Sequence, residues 1–299
     1  EIGSGLVGSE MCIRDRNKVW LAGNVMMRAL LQNDYELVKM ARDTIASEIV
    51  KGGAEGIKDD WCFHQHGAQQ QFGNYGLSFV SGMSFFSGLF SGTSLAFDDK
   101  QLSILSTLID KGYRWVIWKG MMDVNALGRQ LFHHAPVHKA LSLAFAASEL
   151  GGGESDECVA VATALLRDNY PAPAVNVLTG HKHFWQSDYT IHRRPSWMAS
   201  IKMASDRIIG TEMMNGDNMK GYYMADGATY IYKDSKEYLD IFPLWDWRKL
   251  PGVTAFEDNA PMPLIKSYQP RNKGTFVGAV SDEKQGMTVM ELDLSLIHI

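Results

Sequence analysis

The sequence lacks the features that mark several large protein classes. Only three cysteines occur among 299 residues, with no CxxC pair, so neither a disulfide framework nor a thiolate zinc site is indicated. No apolar run approaches the roughly 20 residues of a membrane span. Basic residues form no extended run and the net charge is −5, which argues against a nucleic-acid surface and gives no polybasic membrane signal. Any anionic ligand must therefore be met by local cations.

What the sequence does contain is enough apolar material for a large core. Apolar residues make up 45% and aromatic residues 11% of the chain, and its length fits one or two globular domains. Histidines occur in three close pairs: 64 and 66, 133 and 134, and 181 and 183. None of these pairs shows the i, i+4 helical spacing or the nearby acid and cysteine set of a zinc signature, so no metal site is predicted.

The two ends of the sequence differ in style from everything between them. Residues 1–16, EIGSGLVGSEMCIRDR, and residues 295–299, SLIHI, resemble translated sequencing-adapter sequence. Segments of foreign origin are excluded from fold reasoning. We therefore interpret residues 17–294 as genuine and expect the natural chain to be truncated at both ends. On this interpretation, the lack of a signal peptide carries no information about location.

The spacing of apolar residues changes once within residues 17–294. Residues 17–170 carry apolar side chains at helical spacing, for example within 25–31, 37–49, 102–109 and 141–150, which predicts stacked helices. Residues 171–294 contain short alternating and aromatic segments: HKHFWQSDYTIHRR, WMASIKMAS, KGYYMADGATYIYK and GTFVGAVSD. These predict strands, with Asp226-Gly227 as a hairpin turn. A helical block followed by a strand block predicts two domains, 17–170 and 171–294.

One stretch is too polar for a core helix and too aromatic for an ordinary loop. DDWCFHQHGAQQQFGNYGLSFV, residues 59–80, holds His66 and Tyr75 nine residues apart, ahead of an apolar helix. Loops that run into a helix often carry functional residues. The structural alternative is that both side chains are partly buried and hydrogen-bonded to backbone.

Two further clusters contain candidate functional residues. MDVNALGRQLFHH, residues 122–134, places Asn125 and Arg129 after an apolar segment, where the alternative is a loop with a solvated arginine. Residues 205–227 crowd Glu212, Asn215 and several other polar residues between predicted strands. Turn chemistry explains most of that Asn, Asp and Gly content, but it does not explain Glu212.

Taken together, these clusters resemble successive motifs of polysaccharide lyase family 8, which includes chondroitin AC, hyaluronate and xanthan lyases. Asn17 begins NKVWLAGNVMMRALLQND, His66 and Tyr75 lie in DDWCFHQHGAQQQFGNYG, and Arg129 lies in MDVNALGRQL. EMMNGDNMKGYYMADG supplies Glu212 and Asn215, and FPLWDWRKLPGVT also resembles the family. Four motifs in the family's order are much more specific than any single one.

The resemblance implies an α+β multidomain fold, an incomplete (α/α) toroid followed by an antiparallel β-sandwich domain, with an acidic polysaccharide bound between them. It implies β-elimination in chondroitin sulfate or hyaluronan. The alternatives are a xanthan-type lyase, a non-catalytic carbohydrate-binding relative and a metal-dependent hydrolase. No cofactor is expected, and a structural calcium ion is left open. A secreted or periplasmic monomer that contacts neither nucleic acid nor membrane is implied.

The resemblance also implies roles for individual residues. Tyr75 would be the base and then the acid, His66 would assist it, and Asn17 would hydrogen-bond the substrate carboxylate. Arg129 would favour the phenolate of Tyr75, and Glu212 would orient Arg129 or His66. His133 stands where many members have a second arginine. The predicted substrate-binding residues are Asn215, His133, Trp61, Asn125 and Arg193.

Overall fold

The computed structural model describes residues 16–150 and 178–293, except 256, 258 and 266–268. The predicted boundary between residues 170 and 171 lies outside the described residues. The adapter-like ends, apart from residue 16, lie outside them as well.

The first half consists of helices, as its apolar spacing predicts. The described residues contain the α-helices α1 (Arg16–Leu31), α2 (Tyr35–Ala46), α3 (Leu77–Phe90), α4 (Asp99–Lys111) and α5 (Ala135–Leu150). Asp34 caps α2, and Asp98 forms a capping box with Gln101 at the start of α4, which satisfies backbone N–H groups that the helices leave unpaired. α1 packs against α2, and α3 packs against α5. None of the helices in the described part of the chain combines the length and apolar character needed to cross a membrane.

Every strand pair in the described residues is antiparallel. Two short pairs lie within the helical half: β1 (Gly56–Ile57) with β2 (Phe63–His64), and β3 (Ile117–Trp118) with β4 (Met121–Met122). The second half forms a four-stranded sheet in the order β5 (Gly180–Phe184), β6 (Tyr189–Arg194), β7 (Trp197–Lys202) and β8 (Ala228–Tyr232). β9 (Val277–Ser281) pairs with β10 (Gly286–Met290). Strands predicted in HKHFWQSDYTIHRR, WMASIKMAS and GTFVGAVSD are confirmed.

The predicted hairpin at Asp226-Gly227 is wrong. Turns occupy residues 218–220 and 222–225, where a first strand would have to lie, so the pair does not connect two strands. Instead, the Gly227 N–H donates to the Lys202 carbonyl at 3.0 Å and leads into β8. The Asp226 carboxylate is buried and accepts a hydrogen bond from Arg271 Nη2 at 3.1 Å. A long connection between β7 and β8 therefore replaces the tight turn, and it carries Glu212.

The helical and strand halves share one hydrophobic core and a buried polar contact. The Phe72 ring packs edge-on against Phe184, with centroids 5.3 Å apart. Asp123, which is fully buried, accepts hydrogen bonds from the hydroxyls of Tyr189 and Tyr232, the latter at 2.6 Å. Burial raises the pKa of Asp123, and these hydrogen bonds offset the rise only in part. The two halves are thus held together through a carboxyl group bonded to hydroxyl donors.

Two predicted substrate-binding residues lie in this interface, where they bond to protein groups; their contact with substrate stays a prediction. Asn125 is fully buried, and its Nδ2 donates to Ser200 Oγ at 3.0 Å and to the Ala228 carbonyl at 2.9 Å. Arg193 is also buried, and its Nη1 donates to three backbone carbonyls between residues 114 and 117. Their polar atoms satisfy backbone and side-chain groups between the halves, and Asn125 has no exposed surface with which to meet a polysaccharide.

Candidate active site

Tyr75 lies in a π-helical turn, Phe72–Gly76, directly before α3. π-helical turns are rare and are frequently found at functional sites. Two glycines allow this turn to pack closely. A Cβ at Gly73 would lie 2.7 Å from the Ala126 carbonyl oxygen, and one at Gly76 would lie 2.5 Å from the Tyr113 hydroxyl. Close backbone packing therefore fixes the position of Tyr75.

His66 is held beside Tyr75 by an unusual backbone conformation. Its φ of 61° lies in the left-handed region, which few residues other than glycine adopt. Its ring meets that of Tyr75 edge-on, with centroids 4.7 Å apart. Its Nδ1 lies 2.7 Å from Glu212 Oε2. The carboxylate therefore sets the orientation of the imidazole, in the way that acidic partners often orient histidines in active sites.

Glu212 connects the members of this cluster. It is 1% exposed. Its Oε1 accepts hydrogen bonds from Arg129 Nη1 and from Gln71 Nε2, the latter at 3.1 Å. Burial by itself would raise the pKa of Glu212, but the hydrogen bond with His66 and the charge of Arg129 outweigh it and lower the pKa. Glu212 is therefore a buried carboxylate that is ionised at neutral pH.

Arg129 brings a permanent positive charge to the Tyr75 hydroxyl. Its Nη2 donates to the Tyr75 oxygen at 3.2 Å, and its guanidinium carbon lies 5.3 Å from the centre of the Tyr75 ring. Burial opposes the charge of Arg129, but the hydrogen bond to Tyr75 and the charge of Glu212 raise its pKa. Asp217 Oδ2 lies 3.5 Å from its Nε. The guanidinium is thus held through its two amino groups, one on Glu212 and one on the tyrosine.

His66, Tyr75, Arg129 and Glu212 are the four predicted catalytic residues that the structure brings together. The arrangement places a tyrosine oxygen beside a fixed cation and an imidazole held by a carboxylate. The cluster can therefore carry out proton transfer at the Tyr75 oxygen.

Three supporting residues do not stand out in the sequence. Gln71 donates to Glu212, and Asn218 Nδ2 donates to the Glu212 backbone carbonyl at 2.9 Å. Lys139 Nζ donates to the Gly73 carbonyl and to Gln130 Oε1, the latter at 2.7 Å, which ties α5 to the π-helical turn. Burial lowers the pKa of Lys139 to about 8. The only local signal was the run of glutamines at 69–71, which is unusually polar for a buried segment.

The other predicted site residues lie in varied surroundings. Asn17 is half-buried in the first turn of α1, and Asn215 is exposed in a turn with a φ of 57°. Trp61 packs partly against the core, and Lys51 Nζ lies 4.6 Å from its ring centre. His133 is exposed and lines a cavity of about 320 Å³ together with Asn218 and other residues: Leu131, Phe132, Met219, Lys220, Asp240, Phe242, Pro243 and Trp247. Substrate contacts by Asn215, Trp61 and His133 stay predictions.

Comparison with known families accounts for both halves of the chain. Residues 14–148 match the family model described as polysaccharide lyase family 8, N terminal alpha-helical domain. Residues 179–297 match the model described as polysaccharide lyase family 8, super-sandwich domain. The chain belongs to polysaccharide lyase family 8. The predicted membership is confirmed, and so is the predicted helical domain followed by an antiparallel β-sandwich domain.

Individual members of family 8 are similar along most of the chain. Chondroitinase-AC of Pedobacter heparinus is 30% identical over 281 residues, which cover 93% of this chain and 40% of the relative. Hyaluronate lyase of Thermasporomyces composti is 27% identical over 80% of this chain and 35% of its own length. A solved chondroitinase AC lyase structure superimposes with a TM-score of 0.86 at 28% identity, covering 94% of this chain and 42% of that one. The chain thus spans about two-fifths of the length of these relatives.

The family 8 domains also locate the four-residue cluster. His66, Tyr75 and Arg129 lie in the part that matches the helical domain, and Glu212 lies in the part that matches the super-sandwich domain. The hydrogen bonds from Arg129 and His66 to Glu212 therefore cross from one domain to the other. The site is complete only when the two domains are in contact.

Proposed function

We propose that the chain is a carbon–oxygen lyase that cleaves chondroitin sulfate or hyaluronan by β-elimination and leaves a 4,5-unsaturated uronate end. The observation that carries the proposal is the Tyr75 hydroxyl, 3.2 Å from Arg129 Nη2, beside a His66 ring oriented by Glu212. The names of the relatives support it, since they include chondroitinase-AC, hyaluronate lyase and xanthan lyase.

The first requirement of the reaction is a more acidic C5 proton. The uronate carboxylate next to C5 is negatively charged, so removing the proton places a second negative charge on the same group. Donors aimed at the carboxylate stabilise this charge as it develops. In the proposal the amide of Asn17 supplies such a donor. His66, whose Nδ1 is held by Glu212, shares this task or helps to take the proton.

The second requirement is a base that can become an acid. Ionising an ordinary tyrosine at pH 7 costs roughly 4 kcal/mol. The Arg129 guanidinium beside the Tyr75 oxygen reduces that cost. The phenolate takes the C5 proton, the C4–C5 double bond forms, and the bond from C4 to the glycosidic oxygen breaks. The Tyr75 hydroxyl then protonates the leaving oxygen, so one side chain serves both steps.

The proposal also covers where the protein acts and with what partner. An intact polysaccharide does not cross a membrane unaided, so we place the enzyme in the periplasm or outside the cell. All four residues of the cluster come from one chain, so a monomer suffices for the chemistry. The partner is the acidic polysaccharide itself, met by the guanidinium of Arg129.

Replacing Tyr75 by phenylalanine tests the proposal. The purified chain would be incubated with chondroitin, hyaluronan and xanthan, and the ultraviolet absorbance of the unsaturated product would be followed. We expect product from chondroitin or hyaluronan, and a loss of about 10²- to 10⁴-fold in kcat for Tyr75→Phe with substrate binding retained. Tyr35→Phe is the matched control, because Tyr35 lies exposed on α2 and its hydroxyl is 3.5 Å from Ser94 Oγ.

Three results would contradict the proposal. Turnover by Tyr75→Phe close to that of the unchanged protein would remove the tyrosine from the mechanism. Products without a double bond would indicate hydrolysis. Product from xanthan alone would leave the chemistry intact and replace the substrate.

A further inference from the structure

A second cluster of polar side chains lies beside the candidate active site, at the edge of the 320 Å³ cavity. His133 and His134 directly precede α5, and Asp240 follows β8. His133 Nδ1 lies 3.1 Å from Asp240 Oδ2, and His134 Nε2 lies 3.0 Å from the same oxygen. Two imidazoles from the helical domain thus converge on one carboxylate oxygen of the sandwich domain.

The backbone is shaped to hold this arrangement. His134 and Asp240 have φ values of 57° and 56°, so both adopt the left-handed conformation. The His134 backbone N–H donates to Asp240 Oδ1 at 2.6 Å. This hydrogen bond occupies one carboxylate oxygen and directs the other toward the imidazoles. Outer hydrogen bonds of this kind orient the ligands of metal sites.

The ligand atoms are close enough to share one ion. Each of the three residues offers one atom, and these atoms all lie within 4.8 Å of one another. We propose that His133, His134 and Asp240 bind a divalent transition metal ion of the Zn²⁺ class. Imidazole and carboxylate ligands suit such ions, and three protein ligands leave a position for water. Mg²⁺ and Ca²⁺ fit less well, because both prefer sites built entirely from oxygen ligands.

The position of the site gives the ion a structural consequence. The two histidines belong to the part matching the helical domain and Asp240 to the part matching the super-sandwich domain. A bound ion therefore joins the two domains next to the cavity, which Asn218 also lines. Asn218 also donates to the Glu212 backbone carbonyl. One residue therefore connects the cavity beside the proposed metal site to the active-site cluster. An ion that binds the folded state alone also stabilises it.

The sequence concealed this site because its members are far apart. Adjacent histidines are not a recognised metal pattern, and the carboxylate is 106 residues away from His134. His138, one helical turn further on, is a local alternative partner, since its ring centre lies 6.2 Å from that of His134. This alternative makes His138 a suitable control.

The test is titration calorimetry of the tag-free chain with ZnCl2, and with MgCl2 as the comparison cation. We expect one Zn²⁺ per chain, no comparable Mg²⁺ binding, and a higher melting temperature with Zn²⁺. Asp240→Asn keeps the oxygen that accepts from the His134 N–H but removes the charged ligand. It should weaken Zn²⁺ binding by more than about tenfold. His133→Gln alters an exposed side chain, so it should weaken binding equally without affecting the fold. His138→Gln should leave the affinity unchanged.

Several results would overturn the assignment. Folded protein, verified by circular dichroism, that fails to bind Zn²⁺ would remove the site. Unchanged affinity in both Asp240→Asn and His133→Gln would place any bound ion elsewhere. Loss of affinity in His138→Gln would replace the proposed ligands by the helical pair His134 and His138.

Discussion

Glu212 and Asp123 are two carboxyl groups buried between the same two domains, yet their surroundings shift their pKa values in opposite directions. Glu212 is paired with Arg129 and His66, which lower its pKa in spite of burial. Asp123 is hydrogen-bonded to tyrosine hydroxyls, and burial raises its pKa. The two side chains are equally inaccessible. The ion pairs with Arg129 and His66 therefore distinguish the ionised member of the proposed catalytic cluster from the interface carboxyl group.

The same contrast applies to the tyrosines beside these groups. The Tyr75 hydroxyl has Arg129 as its partner. The Tyr189 hydroxyl donates to Asp123, and burial, together with the charge of that carboxylate, raises the pKa of Tyr189 well above its usual range. Of these two buried tyrosines, Tyr75 accepts a hydrogen bond from a guanidinium, whereas Tyr189 donates one to a carboxyl group. A tyrosine in the interface instead serves as a hydrogen-bond donor.

The largest expected effect comes from neutralising Glu212. Glu212→Gln leaves the buried Arg129 without its main counter-charge, and it places an amide where two donors converge. Losing one partner of a buried ion pair costs about 3–5 kcal/mol. We expect the free energy of unfolding, measured by urea denaturation, to fall by that amount.

Asp217→Asn is the matched control for this change. Asp217 is also near Arg129, at 3.5 Å from Nε, but its side chain is 48% exposed. Exposed ion pairs contribute about 0.2–1 kcal/mol, so little stability should be lost. Equal losses in the two variants would show that Glu212 does not neutralise Arg129 in the way its contacts indicate.

A smaller effect is expected from Asp123→Asn. The amide keeps one acceptor oxygen, but its NH2 group faces a tyrosine hydroxyl that previously donated to a carboxylate. One poorly satisfied buried group costs about 1–3 kcal/mol. Because the hydrogen-bond partners of Asp123 are tyrosine hydroxyls and not a buried guanidinium, the loss in urea denaturation should be smaller than that of Glu212→Gln. The reverse order would contradict the distinction between a charge-paired and a hydroxyl-bonded carboxyl group.

The sequence predicts this molecule unevenly, for physical reasons. The helices and most strands follow from local apolar spacing, because one buried face leaves a periodic mark. His66 and Tyr75 share one segment, so their motif is readable without knowing the fold. The sequence gives no sign that Arg193 and Asn125 bond to backbone carbonyls and side chains 75 or more residues away. A polar side chain carries no mark of whether such a partner or a substrate will satisfy it.

Long-range partners also explain what the sequence did not reveal. Asp123 meets Tyr189 and Tyr232 across 66 and 109 residues, and Asp240 meets His134 across 106. These contacts exist only after the two domains pack together. Asp226-Gly227 shows the opposite error. A locally strong turn signal predicts a hairpin there, but Asp226 is bonded to Arg271 from a segment 45 residues away. In this chain the sequence reveals a functional group where its members lie close together in sequence, as His66 and Tyr75 do.

The smallest expected effect is a change in how stability depends on pH. The contributions of the two carboxyl groups to this dependence should have opposite signs. The pKa of Glu212 in the folded state lies below its ordinary value of 4.5. Its stabilisation is therefore present above pH 4.5 and is lost as the pH falls through the folded pKa. The pKa of Asp123 in the folded state lies above its ordinary value of 3.8. Its destabilisation therefore grows as the pH rises from 3.8 through the folded pKa, and acidification relieves it.

The free energy of unfolding, measured in urea between pH 3 and 7, should separate these contributions. Relative to the unchanged protein, Glu212→Gln should lose less stability on acidification. The variant lacks the carboxylate whose pKa is lower in the folded state than in the unfolded state. Asp123→Asn should lose more, because the relief that protonating Asp123 provides is gone. Each slope can change by at most about 1.4 kcal/mol per pH unit for one proton. Slopes that change in the same direction would mean that the two carboxyl groups share one electrostatic environment, and the contrast between site and interface would fail.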